Sequence, residues 1–190
     1  MKITAASTLP QVAGAVGGAL KRAGISAVLT GGACATIHSR GKYLSEDLDF
    51  VIQGSALRRD LERVMGDLGF ERRGEQYFHD KSPFFVEFLR GPLGIGRDIV
   101  IQPVEIRVGE SRVLALSSHD SCRDRLAAFI FWNDRQSLEA AVEIALRNDL
   151  DMKAIRRWAA TEGGEERFEE FLAQVRKRKR ERPSSARSRR

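Results

Sequence analysis

The chain has 190 residues, 42% of them hydrophobic, with 32 Lys and Arg against 26 Asp and Glu and a formal net charge of +6. That length suits one packed domain or a domain with a small helical annex, and no apolar run reaches the length of a membrane span. Two cysteines, Cys34 and Cys122, are too few for a zinc cage or a disulfide framework and read as ordinary buried thiols.

The charge is unevenly placed. Residues 174–190 hold nine Lys and Arg against Glu181 alone, a net +8, which leaves residues 1–173 at −2. The high pI therefore belongs to the tail, expected to be disordered from about Glu181 onward. It is either an electrostatic hook for RNA, DNA or an acidic partner, or a solvated end. The start, "MKITAASTLPQV", lacks the long apolar core of a signal peptide, so a cytoplasmic protein with no membrane segment is expected.

In chain order, "STLPQVAGAVGGALKRAG" predicts a helix, with Thr8 and Gln11 at capping-box spacing, an early Pro10 and a stop at Gly24. "AVLT" (27–30) reads as a buried strand, followed by Gly31-Gly32 and a short helix, "ACATIHS". "DLDFVI" is the next strand, and "SALRRDLERVMGDLG" (55–69) is an amphipathic helix. "QYFHD" and "FFVEFL" (84–89) read as two more strands, and "PVEIRVGESRVLAL" (103–116) as a hairpin. "GPLGIG" (91–96) has no helix pattern after it and reads as a turn, not a phosphate loop. From Ser117 the pattern is helical, in four segments punctuated by Asn148-Asp149 and Gly163-Gly164. The expected organisation is an α/β domain over 1–116, a helical subdomain over 117–180 and a basic tail over 181–190.

Asp47 and Asp49 carry the chemistry. Two apart on a strand, they point to the same face, and a divalent cation such as Mg²⁺ would make that repulsive pair tolerable. A third acid on a neighbouring strand would complete the site; Glu87, isolated in "FFVEFL", is the first choice, with Glu105 and Asp98 as competitors. Gly31-Gly32, between a strand and a helix, lets backbone approach a phosphate at a helix N-terminus. His38, His79 and His119 have no metal-ligand spacing. Trp132 and Trp158 sit on apolar stripes and read as core, although Trp132 near a nucleotide could stack on a base.

"LTGGACATIHSRGKYLSEDLDFVI" (29–52) resembles the signature of the DNA polymerase β nucleotidyltransferase superfamily. Within it, the chain is most similar to the small AbiEii/MenT-type nucleotidyltransferases of toxin–antitoxin pairs. The resemblance implies a nucleotidyltransferase-type mixed sheet flanked by helices, α/β (α+β) in class, followed by a C-terminal helical subdomain. It also implies an Mg²⁺-dependent enzyme, with two metals, that moves NMP from an NTP to a hydroxyl. The acceptor would be an RNA 3′ end (tRNA in particular), a partner protein or a small molecule such as an aminoglycoside, and a cognate antitoxin would be a further partner. A catalytically inactive nucleotide- or RNA-binding module on the same fold is the alternative. By the same resemblance Gly31 and Gly32 line the triphosphate, Asp47, Asp49 and Glu87 hold metal, and Ser45 precedes the acids. Arg40 and Lys42 lie in a phosphate-contacting loop, and Arg125 and Asp134 match the helical motif.

Overall fold

A computed structural model of the chain describes residues 2–181. Helix α1 (Leu9–Arg22) starts at the expected capping box, with the Thr8 hydroxyl and the Gln11 side chain satisfying each other's backbone N–H. Strand β1 (Ala27–Leu29), helix α2 (Gly31–His38) and strand β2 (Asp47–Ile52) follow, then helix α3 (Arg58–Asp67). Strands β3 (Glu71–Arg73), β4 (Gln76–Phe78), β5 (Phe85–Arg90), β6 (Val104–Val108) and β7 (Ser111–Ala115) complete a seven-stranded sheet. Its order is β3-β4-β5-β2-β1-β7-β6. The β2–β5 and β1–β7 pairs are parallel, and the other four are antiparallel.

The sheet is mixed because β1 returns antiparallel to β2 through α2, whereas β5 reaches β2 by the longer crossover through α3, β3 and β4. Along β2 burial alternates strictly. Leu48, Phe50 and Ile52 enter the core, and Asp47, Asp49 and Val51 share the other face. The acids thus sit beside the core without entering it.

One strand escaped the sequence reading. Glu71–Arg73 is an edge strand whose three residues are all charged, so no hydrophobic alternation announces it; it pairs with β4 across a turn at Gly74 (φ +67°). The α3 helix begins at Arg58, three residues later than expected, and β4 ends at Phe78.

The C-terminal part is formed by α4 (Ser118–Trp132), α5 (Arg135–Ala145), α6 (Met152–Thr161) and α7 (Glu165–Glu181). Ser117, Asp134 and Asp151 cap the first three through their side chains. Helix α2 packs against α4 and α5, so the segment after β1 joins sheet to helices. The buried residues form one contiguous cluster from Ile3 to Val175. Arg178 of α7 binds Glu139 and Glu143 of α5, and Glu143 also pairs with Arg147. Glu181 ends α7; the rest of the expected tail, 182–190, lies outside the described residues. No helix among the described residues is long and apolar enough to cross a membrane.

Candidate active site

The site forms where β1 turns into α2. Thr30 donates its backbone N–H to the Asp49 carbonyl at 2.9 Å, which locks the N-terminus of α2 onto β2. Gly31 follows with φ +63°, and a Cβ there would overlap the Asp49 carboxylate. A Cβ on Gly32 would overlap the Ser45 hydroxyl. Glycine is required twice because helix backbone passes directly over the acids.

The loop after α2 is pinned by two buried hydroxyls that sequence reasoning passed over. Thr36 donates to the Gly32 carbonyl at 3.0 Å and accepts the Ser45 N–H at 3.1 Å. Ser39 donates to the Thr36 carbonyl and accepts the Tyr43 N–H. Small polar residues inside a short apolar helix were the available signal. The result fixes Ser45, whose hydroxyl donates to the Asp47 carboxylate.

Across the sheet, Asp49 and Glu87 are register partners on β2 and β5, and Glu87 and Gln76 are partners on β5 and β4. One polar row therefore crosses three strands on the face that holds Asp47. The Gln76 side-chain amide donates to Glu87. Gln76 was read as a strand residue without a role. The competing acids are engaged elsewhere: Glu105 with Lys21 and Arg112, and Asp98 with Arg123.

Burial pushes the Asp49 carboxyl up to about 6, and the charges of Asp47 and Glu87 add to it while Arg125 opposes it. Burial, which disfavours its charge, acts most strongly on Arg125, but the Asp124 carboxylate outweighs it and holds the guanidinium above its ordinary value. Arg125 also donates to the Ser137 hydroxyl at 3.3 Å, and Ser137 donates to Asp134 at 2.6 Å. Asp134 is thereby occupied as the cap of α5, with its carboxyl below the usual range: the hydrogen bonds from Ser137 and Gln136 outweigh burial.

A cleft of about 580 Å³ opens over these groups, lined by Gly32, Ser45, Asp47, Asp49, Arg125 and Asp134 together with Tyr43, Leu44, Glu46, Phe85 and Gln136. Gly31 is not among the lining residues but lies against the Asp49 carboxylate. Glu87 lies one strand away from Asp49. Arg40 and Lys42 are exposed and do not line the cleft; Arg40 reaches the Arg147 carbonyl instead.

The donor set suits a hard divalent cation, because Asp47 and Asp49 share one strand face, where burial first and mutual repulsion second hold the Asp49 carboxyl up. Among the described residues, no three His, Cys, Asp or Glu side chains are gathered as a metal-holding group. Asp47 instead accepts from the Ser45 hydroxyl, and Glu87 from the Gln76 amide.

Two solved structures share this architecture at low identity. A crystal structure of an antigenic nucleotidyltransferase-like protein from Paracoccidioides brasiliensis aligns with a TM-score of 0.55 at 15% identity, covering 75% of this chain and 77% of that one. The crystal structure of ANT(2")-Ia in complex with adenylyl-2"-tobramycin aligns with a TM-score of 0.51 at 15% identity, covering 91% and 99%. The chain has the nucleotidyltransferase fold. No protein-family model and no curated protein matches the sequence. Neither neighbour is described as an AbiEii/MenT-type toxin, so that finer resemblance rests on the sequence motifs alone.

Proposed function

We propose that the chain is a divalent-metal-dependent nucleotidyltransferase that moves NMP from an NTP to a hydroxyl acceptor, with an RNA 3′ end, tRNA in particular, as the favoured acceptor. The observation that carries this reading is the convergence of Asp47 and Asp49 on one strand face with the side-chain-free N-terminus of α2. That helix end, through Gly31 and Gly32, binds the triphosphate, and Arg125 in the same cleft supplies positive charge to it. Mg²⁺, held by Asp47, Asp49 and Glu87, would neutralise phosphate charge and polarise the attacked group. Glu87 orients the acceptor hydroxyl and takes its proton as the oxygen bonds the α-phosphorus and pyrophosphate leaves. Positioning and charge neutralisation supply most of the rate.

The RNA preference is supported by the basic end of α7, where Arg176, Lys177, Lys179 and Arg180 are exposed. A second reading is favoured by the neighbour whose structure contains adenylyl-2"-tobramycin: the acceptor is then a small aminoglycoside hydroxyl. The motif resemblance to AbiEii/MenT toxins adds a cognate antitoxin as a candidate partner.

The test is incubation with each labelled NTP and Mg²⁺, in parallel with total RNA and with an aminoglycoside panel, using Asp47→Asn as the control. Label on RNA that disappears in Asp47→Asn and in chelator supports the leading reading, and label on the aminoglycoside selects the second. No transfer to either, with NTP still bound, leaves the inactive binding module.

A further inference from the structure

The end of α4 presents two large aromatic residues to solvent. Trp132 is 77% exposed and Phe131 46%, with ring centroids 5.9 Å apart in an edge-on arrangement. The sequence pattern had Trp132 in the core. It stands outside because α4 stops directly after it: Asn133 takes a left-handed conformation (φ +56°) as the helix cap, and its side chain accepts a hydrogen bond from Arg167 of α7. The chain reverses there, and the last ring has no helix to cover it.

Arginines surround the pair, most of them with an acid partner. Buried Phe129 lies beneath both Arg135 and Arg167, whose guanidinium carbons sit 5.2 and 4.9 Å from its ring centre. Phe131 and Trp132 also line a cavity of about 430 Å³ together with Arg97 and Arg125. Arg125 lines the Asp47/Asp49 cleft as well, so the aromatic surface and the candidate active site share a wall. Acids already engage three of these arginines. Asp124 pairs with Arg125 and Glu170 with Arg135, while buried Glu162 accepts the Arg97 backbone N–H and lies 3.9 Å from its guanidinium. Arg167 pairs with no carboxylate among the described residues.

We propose that this surface is a docking platform for single-stranded RNA, with Trp132 stacking on a base and Arg167, whose charge no carboxylate neutralises, attracting the adjoining phosphate. It deepens the proposed function and rests on its RNA acceptor. Exposed rings interleaved with cations are what an unpaired strand requires: every base has a π-face, and every linkage has a negative charge.

The experiment uses the full chain and a fluorescent single-stranded oligouridine, without NTP, and reads equilibrium affinity and its salt dependence by anisotropy. Trp132→Ala is expected to weaken binding about tenfold and Trp132→Phe much less, since a smaller ring still stacks. The salt slope should hold in Trp132→Ala, which removes no phosphate contact, and fall in Arg167→Gln. Circular dichroism of each variant confirms that it is folded. Equal affinity of wild type and folded Trp132→Ala overturns the platform, as does capture of a protein partner by the wild type that Trp132→Ala abolishes while RNA binding stays intact. Asp47→Asn separates the two readings. A wild type that binds the oligouridine through Trp132 but labels no RNA keeps the platform and removes RNA as acceptor. RNA labelling with no Trp132 dependence of affinity does the reverse.

Discussion

Asp49 stands opposite Glu87 across the parallel pair β2–β5, and neither carboxylate has a salt-bridge partner among the described residues. With Asp47 two residues away on the same face, three negative groups share one patch of sheet. Burial and that repulsion raise the Asp49 carboxyl to about 6 from its ordinary 3.8.

The sign of the resulting pH effect follows directly. Between 3.8 and about 6 the folded state holds a proton that the unfolded state has released, so stability falls as pH rises through that window. The cost is absent below it and complete above it. Asp49→Asn should therefore stabilise the metal-free protein by about 1–3 kcal/mol at neutral pH, and hardly at all near pH 4. Thermal melts in chelator at the two pH values check this, and equal shifts at both would contradict it. In the wild type, Mg²⁺ should raise the melting temperature at neutral pH and lose that effect once Asp49 is protonated.

Gly31 and Gly24 make a matched pair. Both have positive φ, +63° and +72°, but a Cβ on Gly24 meets nothing within 4 Å whereas one on Gly31 overlaps the Asp49 carboxylate. Gly24→Ala should cost only the conformational strain, about 1 kcal/mol, and leave NTP binding unchanged. Gly31→Ala should cost more and abolish NTP binding, measured by calorimetric titration. Equal behaviour of the two variants would mean that the close approach at Gly31 has no functional use.

Glu87→Gln separates enzyme from inert module. Glutamine is nearly isosteric, and Gln76 can reorient its amide to meet the new side chain, so the fold should persist. Transfer should fall by about two or more orders of magnitude with NTP affinity nearly constant, the signature of an interaction made in the transition state. Activity that survives this change would move the third-acid role off Glu87.

Residues 182–190 contain four arginines and no acid. Their deletion should weaken RNA binding and flatten its salt dependence while leaving NTP binding alone, because counterions are released only by phosphate contacts. An unchanged slope, read from affinities at several salt concentrations, would assign RNA binding wholly to residues 1–181.

Most of the order of elements and the face shared by Asp47 and Asp49 could be read from the chain alone, because they depend on local rules: capping at Thr8, glycine stops, and the two-residue period of a strand. The glycine pair beside a helix start was legible for the same reason. What lies across the sheet was not. That Glu87 is the register partner of Asp49, with Gln76 beyond it, depends on a crossover of some thirty residues, and no local pattern encodes the register of such a pairing. The all-charged edge strand Glu71–Arg73 had no hydrophobic period to reveal it. Trp132 was misassigned to the core because helical periodicity tells which face of a helix is apolar, but not whether another element arrives to cover it. Only the packing of α4, α5 and α7 decided that it stays in solvent beside Arg97 and Arg167. Likewise the resemblance puts Arg40 and Lys42 in a phosphate-contacting loop, and in the fold both are exposed and outside the lining of the cleft, while Thr36 and Ser39 pin that loop by Tyr43 and Ser45.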